Sequence, residues 1–174
     1  MGTFSQLMRQ ILDHSRAEFI SLGEEIDTLK NYMELQKMRF NDQFTYKIEV
    51  DEELDEDYHF LPPMFAQPFI ENALEHGLFK KEGSENHIQI VFNADANDQI
   101  KLQITDTGTG MVLEESKGQH KSLATQITKE RLTIFQKSLN SKSELHIENI
   151  PGEGGKVEGL LVSLALPSKV MVPA

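Results

Sequence analysis

The sequence predicts an α+β fold, in which an antiparallel or mixed β-sheet is covered by helices on one face. Two observations lead to this fold class. Apolar residues repeat at the helical period in several segments, and in several others they alternate with polar residues as in half-buried strands. Consecutive strand candidates are joined by short turns, which disfavours a doubly wound parallel sheet. The 174 residues suffice for one domain, or for one domain with a helical attachment.

The composition excludes several classes of protein. Seventeen Lys and Arg against twenty-eight Asp and Glu give a net charge of −11, so a nucleic-acid backbone or an anionic membrane would repel the chain. The absence of cysteine excludes disulfide scaffolds and thiolate zinc sites, and it fits a reducing cytoplasm. No apolar stretch approaches the ~20 residues that cross a bilayer, and Met1–Arg9 lacks the apolar core of a signal peptide. We expect a cytoplasmic domain with no nucleic-acid partner, and a membrane anchor only in parent segments outside this chain.

Two helices are predicted at the start of the chain. The second begins at Ser21, because Glu24 completes a capping box three residues later. Periodicity alone leaves two roles open for its apolar seam, which are packing on the domain core and pairing with a partner helix. The first helix has Phe4, Leu7, Met8 and Ile11 at helical spacing; the seam of the second is Leu22, Ile26, Leu29 and Met33, and its outer face is Glu24, Glu25, Lys30 and Lys37.

A strand is predicted from Phe44 to Val50, and it runs into an acidic segment. Seven of the nine residues in Glu49–Asp57 are acids. A solvated loop between two strands explains this segment better than a cation site, because the glycine-containing spacing of a calcium loop is missing.

An apolar helix is predicted after the proline pair at residues 62–63. If the helix begins at Pro63, Pro68 lies about one turn in and removes a donor. If it begins near Gln67, Pro68 lies in the first turn, where its missing donor costs nothing. Gly77 is the expected C-cap.

Four strands and one helix are predicted in the second half of the chain. Residues 94–99 form a hairpin turn between the first two strands, and Thr107–Ser122 is polar and long enough to suggest a functional loop. The inner faces of these two strands are Ile88, Ile90 and Phe92, then Ile100, Leu102 and Ile104; the helix is Ala124–Ser138, with Ile127, Leu132, Ile134 and Phe135 as its apolar side; the last strands are Glu144–Ile150 and Val157–Leu166.

The first candidate site residue is Asp106, in Asp106-Thr107-Gly108-Thr109-Gly110. Strand parity places its carboxylate on the buried face, which is costly without hydrogen-bond donors. Two resolutions remain open. The carboxylate either caps the following turn, or it lines a pocket whose ligand supplies the donor, such as the exocyclic amine of adenine. The glycines would let the backbone approach that ligand.

The second candidate is the stripe of Asn72, Glu75 and His76, spaced i, i+3 and i+4 on the helix. Magnesium bound to a nucleotide takes one or two protein oxygens, and an asparagine carbonyl suits that role. His76 by itself is typical of an ordinary boundary histidine. A zinc site is not expected, because no second histidine or cysteine lies at ligand spacing.

The third candidate is Gly118-Gln119-His120-Lys121-Ser122, just before a predicted helix. Lys121, Ser122 and the free amides of the helix N-terminus could cradle a phosphate. The segment is not a P-loop, since the G-x-x-x-x-G-K-[ST] spacing is missing.

Together these segments resemble the ATP-binding domain of LytS-like sensor histidine kinases of the GHKL superfamily, and the resemblance covers nearly the whole chain. It rests on Pro62-Pro63-Met64, on Gln67-Pro68-Phe69-Ile70-Glu71-Asn72-Ala73-Leu74-Glu75-His76-Gly77, on Asp106-x-Gly108-x-Gly110 and on Glu130-Arg131-Leu132. The segment Asn31-Tyr32-Met33-Glu34-Leu35-Gln36-Lys37-Met38-Arg39-Phe40 resembles the helix that precedes this domain in the family.

The resemblance implies a Bergerat-type two-layer α/β sandwich that binds ATP and Mg²⁺ between its helices and a lid. Residues 1–40 would be the end of the helical dimerisation and phosphoacceptor region, and residues 41–174 the catalytic domain. Asn72 would coordinate magnesium, and Asp106 would read adenine. The other expected ATP-site residues are His76, Gly108, Gly110, Lys121, Ser122, Leu123 and Thr125.

The sequence departs from the family pattern in four places. The second glycine-rich box carries Ala124 where the family often has glycine, Thr107 replaces a common asparagine, and Glu75 stands where a basic or neutral residue is frequent. The family's phosphoacceptor histidine has no counterpart, because His14 lacks the surrounding motif. We therefore expect this chain to bind ATP and not to phosphorylate itself.

Three functions follow as hypotheses. The leading one is the catalytic domain of a sensor histidine kinase, which presents the ATP γ-phosphate to a histidine outside this chain for later transfer to a response regulator, within a homodimeric parent. The alternative is a non-catalytic nucleotide-binding regulatory module with a degenerate lid. The third, an ATPase, would want a carboxylate one turn before Asn72, and Pro68 occupies that position.

Overall fold

A computed structural model describes residues 9, 17–80, 85–95, 99–111, 123–139 and 143–171 of the chain. The helices are α1 (Leu22–Arg39), α2 (Gln67–Asn72) and α3 (Leu123–Leu139). The strands are β1 (Ile20–Ser21), β2 (Thr45–Val50), β3 (His59–Leu61), β4 (His87–Ala94), β5 (Ile100–Asp106), β6 (Leu145–Pro151), β7 (Val157–Leu166) and β8 (Lys169–Val170). A π-helical turn (Ala73–Gly77) and a 3₁₀ turn (Leu78–Lys80) follow α2, and a second 3₁₀ turn (Glu153–Gly155) joins β6 to β7.

Five strands form the main sheet in the order β2-β4-β5-β7-β6. The β2–β4 pair is parallel, and the other three pairs are antiparallel. Parallel neighbours need a long crossover connection, and here α2 and its following turns lie within it. The predicted α+β class with a mixed sheet is confirmed.

A second, three-stranded sheet has the order β1-β3-β8, and of its strands only the one that follows the acidic loop was predicted. Ile20 pairs with Leu61, and His59 pairs with Val170, so the start of α1 and the end of the described chain meet on β3. Two of these strands have only two residues each, which is too short for any period in the sequence to reveal them.

The core lies between the helices and one face of the main sheet. The inward residues predicted for β4 and β5 are all buried, and so is the whole apolar seam of α1, so the seam packs on its own domain. Full burial of one such aliphatic side chain contributes about 1.5–3 kcal/mol. These residues are Ile88, Ile90, Phe92, Ile100, Leu102 and Ile104 from the sheet, with Leu22, Ile26, Leu29 and Met33 from α1.

The predicted start of α1 is confirmed, and its predicted outer face is wrong at one residue. The Ser21 hydroxyl accepts a hydrogen bond from the Glu24 N–H, and the Glu24 carboxylate accepts one from the Ser21 N–H, which completes the capping box. Glu25, expected on the outer face, is only 1% exposed. It faces inward because its carboxylate binds the backbone of the proline segment, a partner that periodicity cannot reveal.

The apolar side predicted for α3 is also wrong in part. Ile127 is 44% exposed and Ile134 is 66% exposed, whereas Leu132 is buried as expected. The buried stripe contains Thr128 beside Leu132 and the half-buried Arg131, at i, i+3 and i+4. Two of these three residues are polar, so the pattern of hydrophobic residues predicted the wrong inner face for this helix. The side chain of Phe135 lies outside the described part.

The acidic run forms the predicted loop between two strands. The Asp55 carboxylate accepts hydrogen bonds from the backbone N–H groups of Asp57 and Tyr58, and Asp51 binds the N–H of Glu53. Leu54 is buried and holds the loop against the domain. Within the described ranges, no helix is both long and apolar enough to span a bilayer.

Candidate functional site

Asp106 ends β5 with its side chain on the buried face, as strand parity predicts, and is 5% exposed. One carboxylate oxygen, Oδ1, accepts a 2.8 Å hydrogen bond from the Gly108 N–H. The turn-capping role is therefore present. A carboxylate has about four acceptor positions, so a turn-capping bond does not by itself prevent a ligand donor from binding there as well.

Glycines surround the Asp106 carboxylate where the α2 segment meets the loop after β5. A Cβ on Gly108 would lie 2.6 Å from the Gly77 carbonyl carbon and 2.8 Å from Asp106 Oδ1, and the Thr109 N–H donates to the Gly77 oxygen at 3.3 Å. The structure thus brings the end of the Asn72-containing segment into direct backbone contact with the Asp106 loop. Sequence reasoning missed Gly159, where a Cβ would lie 1.9 Å from the Asp106 carbonyl oxygen. A glycine inside a strand is a general signal of such close approach.

Gly77 does not end the helical segment, so its prediction as a C-cap is wrong. The chain continues through the 3₁₀ turn, in which Leu78 is buried. The burial of Leu78 stabilises this additional turn after the glycine. Gly77 instead contacts the Asp106 loop through its carbonyl oxygen, which accepts the Thr109 N–H at 3.3 Å.

Asn72 is the last residue of α2 and is half-buried. The start at Gln67 with Pro68 in the first turn is confirmed. The stripe of 72, 75 and 76 assumed an α-helix, but the chain is π-helical from Ala73, with i→i+5 hydrogen bonds that change the angular spacing. Glu75 is exposed and lies 3.5 Å from Arg39 of α1, Glu75 Oε1 to Arg39 Nη2.

Glu71, the neighbour of Asn72, is tied to α1. Its Oε1 accepts a 3.1 Å hydrogen bond from the Tyr32 hydroxyl. Burial, followed by the nearby Glu71 carboxylate, holds the pKa of Tyr32 above its ordinary value, so the hydroxyl stays a donor. The α1 and α2 helices are thereby joined beside Asn72.

A buried polar cluster fixes the proline segment that leads into α2. Both oxygens of Glu25 accept the Met64 N–H, at 3.0 and 3.1 Å. Arg131 of α3 donates to the carbonyls of Met64 and Pro63, at 3.1 and 2.7 Å, and its guanidinium lies 4.2 Å from the centre of the Phe65 ring. Met64 has φ +62°, a strained value for a residue with a side chain, and bonds to both of its peptide groups hold it there.

Burial raises the pKa of Glu25 to about 7, against the lowering effects of the Met64 N–H and the Arg131 charge. Burial also lowers the pKa of Arg131, and the Glu25 carboxylate opposes that shift. This cluster joins two of the quoted motifs to α1. Residues from α1, from the proline segment and from Glu130-Arg131-Leu132 meet at one residue, Met64.

The loop after Asp106 is fixed at its other end by Asn149 of β6, which sequence reasoning also missed. The Met111 N–H donates to Asn149 Oδ1 at 2.7 Å, and Asn149 Nδ2 donates to the Met111 oxygen at 2.9 Å. Met111 and Asn149 are 38 positions apart in the chain, and no local sequence pattern predicts their contact.

The remaining predicted site residues lie partly outside the description. Lys121 and Ser122, with most of the predicted functional loop, are outside the described residues. Leu123 and Thr125 lie in the first turn of α3, and His76 lies in the π-helical turn, but their side chains are not described. No group of three or more histidine or acidic residues placed to hold a metal ion occurs among the residues that the structure covers.

Comparison with known proteins finds similarity to histidine kinases. Residues 1–44 match a family model described as "Histidine kinase". The YwpD protein of Bacillus subtilis (strain 168) is 27% identical over 93% of this chain and 57% of its own length. The sensor protein LytS of Staphylococcus haemolyticus (strain JCSC1435) is 33% identical over 62% of this chain and 18% of its own length. The chain therefore spans between about a fifth and three fifths of these relatives.

A solved structure shows the same fold. The histidine kinase domain from the Erythrobacter litoralis EL346 blue-light activated histidine kinase superposes with a TM-score of 0.59 at 17% identity, over 93% of this chain and 74% of that one. The predicted two-layer sandwich is thus confirmed. The relatives above confirm the resemblance predicted from the motifs: this chain is similar to the LytS-like sensor histidine kinases.

Proposed function

We propose that this chain is the ATP-binding catalytic domain of a two-component sensor histidine kinase, which presents the γ-phosphate of ATP to a histidine outside the chain. The observation that carries the proposal is the contact between two motifs: the buried Asp106 with its glycines, and the helical segment that contains Asn72. A response regulator would receive the phosphoryl group later, and the parent protein would be a homodimer in the cytoplasm or attached to the membrane by its own segments.

The residues at this site fit an adenine nucleotide. The buried Asp106 carboxylate could accept a hydrogen bond from an exocyclic amine. Gly108 and Gly77 lie beside it and have no side chains that would obstruct a base. A base that presents a donor to this carboxylate would be favoured over one that presents an acceptor, because two acceptors facing each other cannot form a hydrogen bond. Gly110 would shape the same site, Lys121, Ser122, Leu123 and Thr125 would lie near the phosphates, and His76 would be a further ATP-site residue.

Magnesium fits the oxygen donors of this segment. The Asn72 carbonyl would take one coordination position, and the nucleotide phosphates and water would complete the shell. The ion would neutralise charge on the phosphates while the protein holds the γ-phosphate in line for attack. The residues of this chain then have three tasks: to bind the base, to orient the phosphates, and to fix Asn72 through the Tyr32–Glu71 link.

The division of the chain into residues 1–40 and 41–174 is part of this proposal. In the structure α1 packs against the main sheet in one core, so a movement of α1 would change the packing of the catalytic domain. This arrangement suits a domain that must receive a signal from helices preceding it.

Phosphoryl transfer in the full-length protein tests the proposal. Incubation with ATP labelled at the γ-phosphate should give an acid-labile phosphohistidine, and both Asp106→Asn and Asn72→Ala should reduce the label at least tenfold. A full-length protein that binds Mg-ATP but forms no phosphohistidine would contradict the kinase proposal. That result would support a non-catalytic nucleotide-binding module, the interpretation that Ala124 in the glycine-poor second box favours.

A further inference from the structure

The side chain of Asn149 forms with the Met111 backbone the kind of hydrogen bonds that a neighbouring strand forms in a sheet. Its amide oxygen accepts the Met111 N–H at 2.7 Å, and its amide nitrogen donates to the Met111 carbonyl at 2.9 Å. One side chain thereby satisfies both backbone groups of Met111, as a neighbouring strand would. Asn149 itself lies within β6, opposite Leu160 of β7, so it is held by the sheet.

Gly110 packs directly against this amide. Its φ of +69° is a left-handed value, and a Cβ would lie 2.5 Å from Asn149 Oδ1 and 2.4 Å from Val157 Cγ1. Glycine is therefore required here by its conformation and by the close approach of the amide. The second glycine of the Asp106 motif and Asn149 form one packing unit.

The other residues of the segment are fixed along its length. The Thr107 hydroxyl donates to the Glu85 oxygen at 2.7 Å and accepts the His87 N–H at 3.0 Å. Gly108 and Thr109 bind Asp106 and Gly77 through their N–H groups, as described above. Asn149 supplies the bonds at the far end of the segment, to both backbone groups of Met111.

We propose that Asn149 is a positioning residue of the nucleotide site, which holds residues 108–111 in the conformation that lets a purine reach Asp106. This role rests on the proposed function. Asn149 acts through the backbone of the loop and not on the substrate. A neutral amide is required because it is a donor and an acceptor at once, whereas a carboxylate would turn an acceptor toward the Met111 carbonyl.

Calorimetric titration of Mg-ATP and Mg-ADP tests this role with two variants and one control. Asn149→Ala removes both bonds, and Asn149→Asp keeps the acceptor for the Met111 N–H but loses the donor. Asn93→Ala is the matched control, because Asn93 also lies on the sheet and donates a 3.0 Å hydrogen bond, to Gln103 Oε1. Asn149→Ala should raise Kd about tenfold or more for both nucleotides, the loss expected for two hydrogen bonds. Asn93→Ala should leave Kd within about twofold.

Hydrogen exchange at the Met111 amide, measured without nucleotide, separates positioning from general loss of stability. Exchange at Met111 should accelerate in Asn149→Ala and stay slow in Asn149→Asp, while the amides of β4 and β5 remain protected in both. Asn149→Asp should still weaken binding, so the proposal stays testable if the alanine variant does not fold. Unchanged nucleotide affinity in a variant with faster Met111 exchange would overturn the role of Asn149. Failure of the unmodified chain to bind either nucleotide would overturn the proposed function, and this role with it.

Discussion

Asp106 illustrates how a residue can be both structural and available for chemistry. Its buried carboxylate caps the turn at Gly108, and three glycines, at positions 77, 108 and 159, lie against the Asp106 residue. A side chain at any of these positions would meet the Asp106 residue or the backbone beside it. The sequence predicted the burial of Asp106 from parity, and it predicted Gly108 as part of the site. It could not predict Gly77 and Gly159 as neighbours, because only the fold brings them there.

Alanine substitutions at two of these glycines should differ in their effects. In Gly108→Ala the new Cβ meets backbone atoms at 2.6–2.8 Å that cannot turn aside, so we expect a loss of about 1–3 kcal/mol in the free energy of unfolding and at least tenfold weaker Mg-ATP binding. In Gly77→Ala the nearest atom is at 3.5 Å, an ordinary contact, so the loss should be smaller. Chemical denaturation and calorimetry of the two variants check the order. A Gly77→Ala variant more damaged than Gly108→Ala would contradict the packing described here.

At the scale of elements, the Met64 cluster joins α1, the proline segment and α3. Glu25 and Arg131 each bind one side of the Met64 residue, and Met64 leads directly into the α2 segment that contains Asn72. Glu25 in this cluster is a buried acid with a raised pKa, so its contribution to the free energy of unfolding depends on pH.

The stability of the chain should fall with rising pH because of Glu25. Its pKa is about 7 in the folded protein and near 4.5 when unfolded, so the folded state binds the extra proton between these values. The stabilising contribution is complete below about pH 4.5 and is lost as the pH rises through 7, to an extent on the order of 3 kcal/mol.

Denaturation of the unmodified chain and of Glu25→Gln at pH 5 and pH 8 measures this contribution. The unmodified chain should lose more stability than Glu25→Gln between the two pH values, because the glutamine keeps an acceptor for the Met64 N–H without ionising. Asp27→Asn, at an exposed acid of the same helix, is the control and should follow the unmodified chain. Equal pH dependence of the unmodified chain and Glu25→Gln would show that Glu25 does not titrate in this range.

At the scale of the whole molecule, the regular parts of the fold could be predicted from the sequence and the irregular parts could not. The alternation at Ile88, Ile90 and Phe92 predicts a half-buried strand, because one face of a strand repeats every two residues. The exposed Ile127 and the buried Glu25 were assigned to the wrong sides of their helices, because polar partners from distant segments decided which face is buried. Pairings such as β3 with β8, and contacts such as Asn149 with Met111, depend on long-range topology that no local pattern encodes.

Some residues of the candidate site could be predicted from the sequence, and others could not. The motif residues Asn72, Asp106, Gly108 and Gly110 were predicted from their types and spacing, and the structure places the loop of Asp106 against the end of the Asn72-containing segment. The residues that support them, Tyr32, Thr107 and Asn149, were not predicted in these roles. Their side chains are ordinary polar groups, and they become part of the site only through the fold.

Calorimetry with Mg-ATP measures whether an adenine nucleotide binds at Asp106. The unmodified chain should bind Mg-ATP, more weakly when magnesium is chelated, and Asp106→Asn should lose most of this affinity, because the amide cannot accept on both atoms. The variant should unfold at a similar denaturant concentration, since the oxygen of the introduced amide can still cap the turn at Gly108. Equal Mg-ATP affinity in a folded Asp106→Asn variant, or no binding by the unmodified folded chain, would contradict the account.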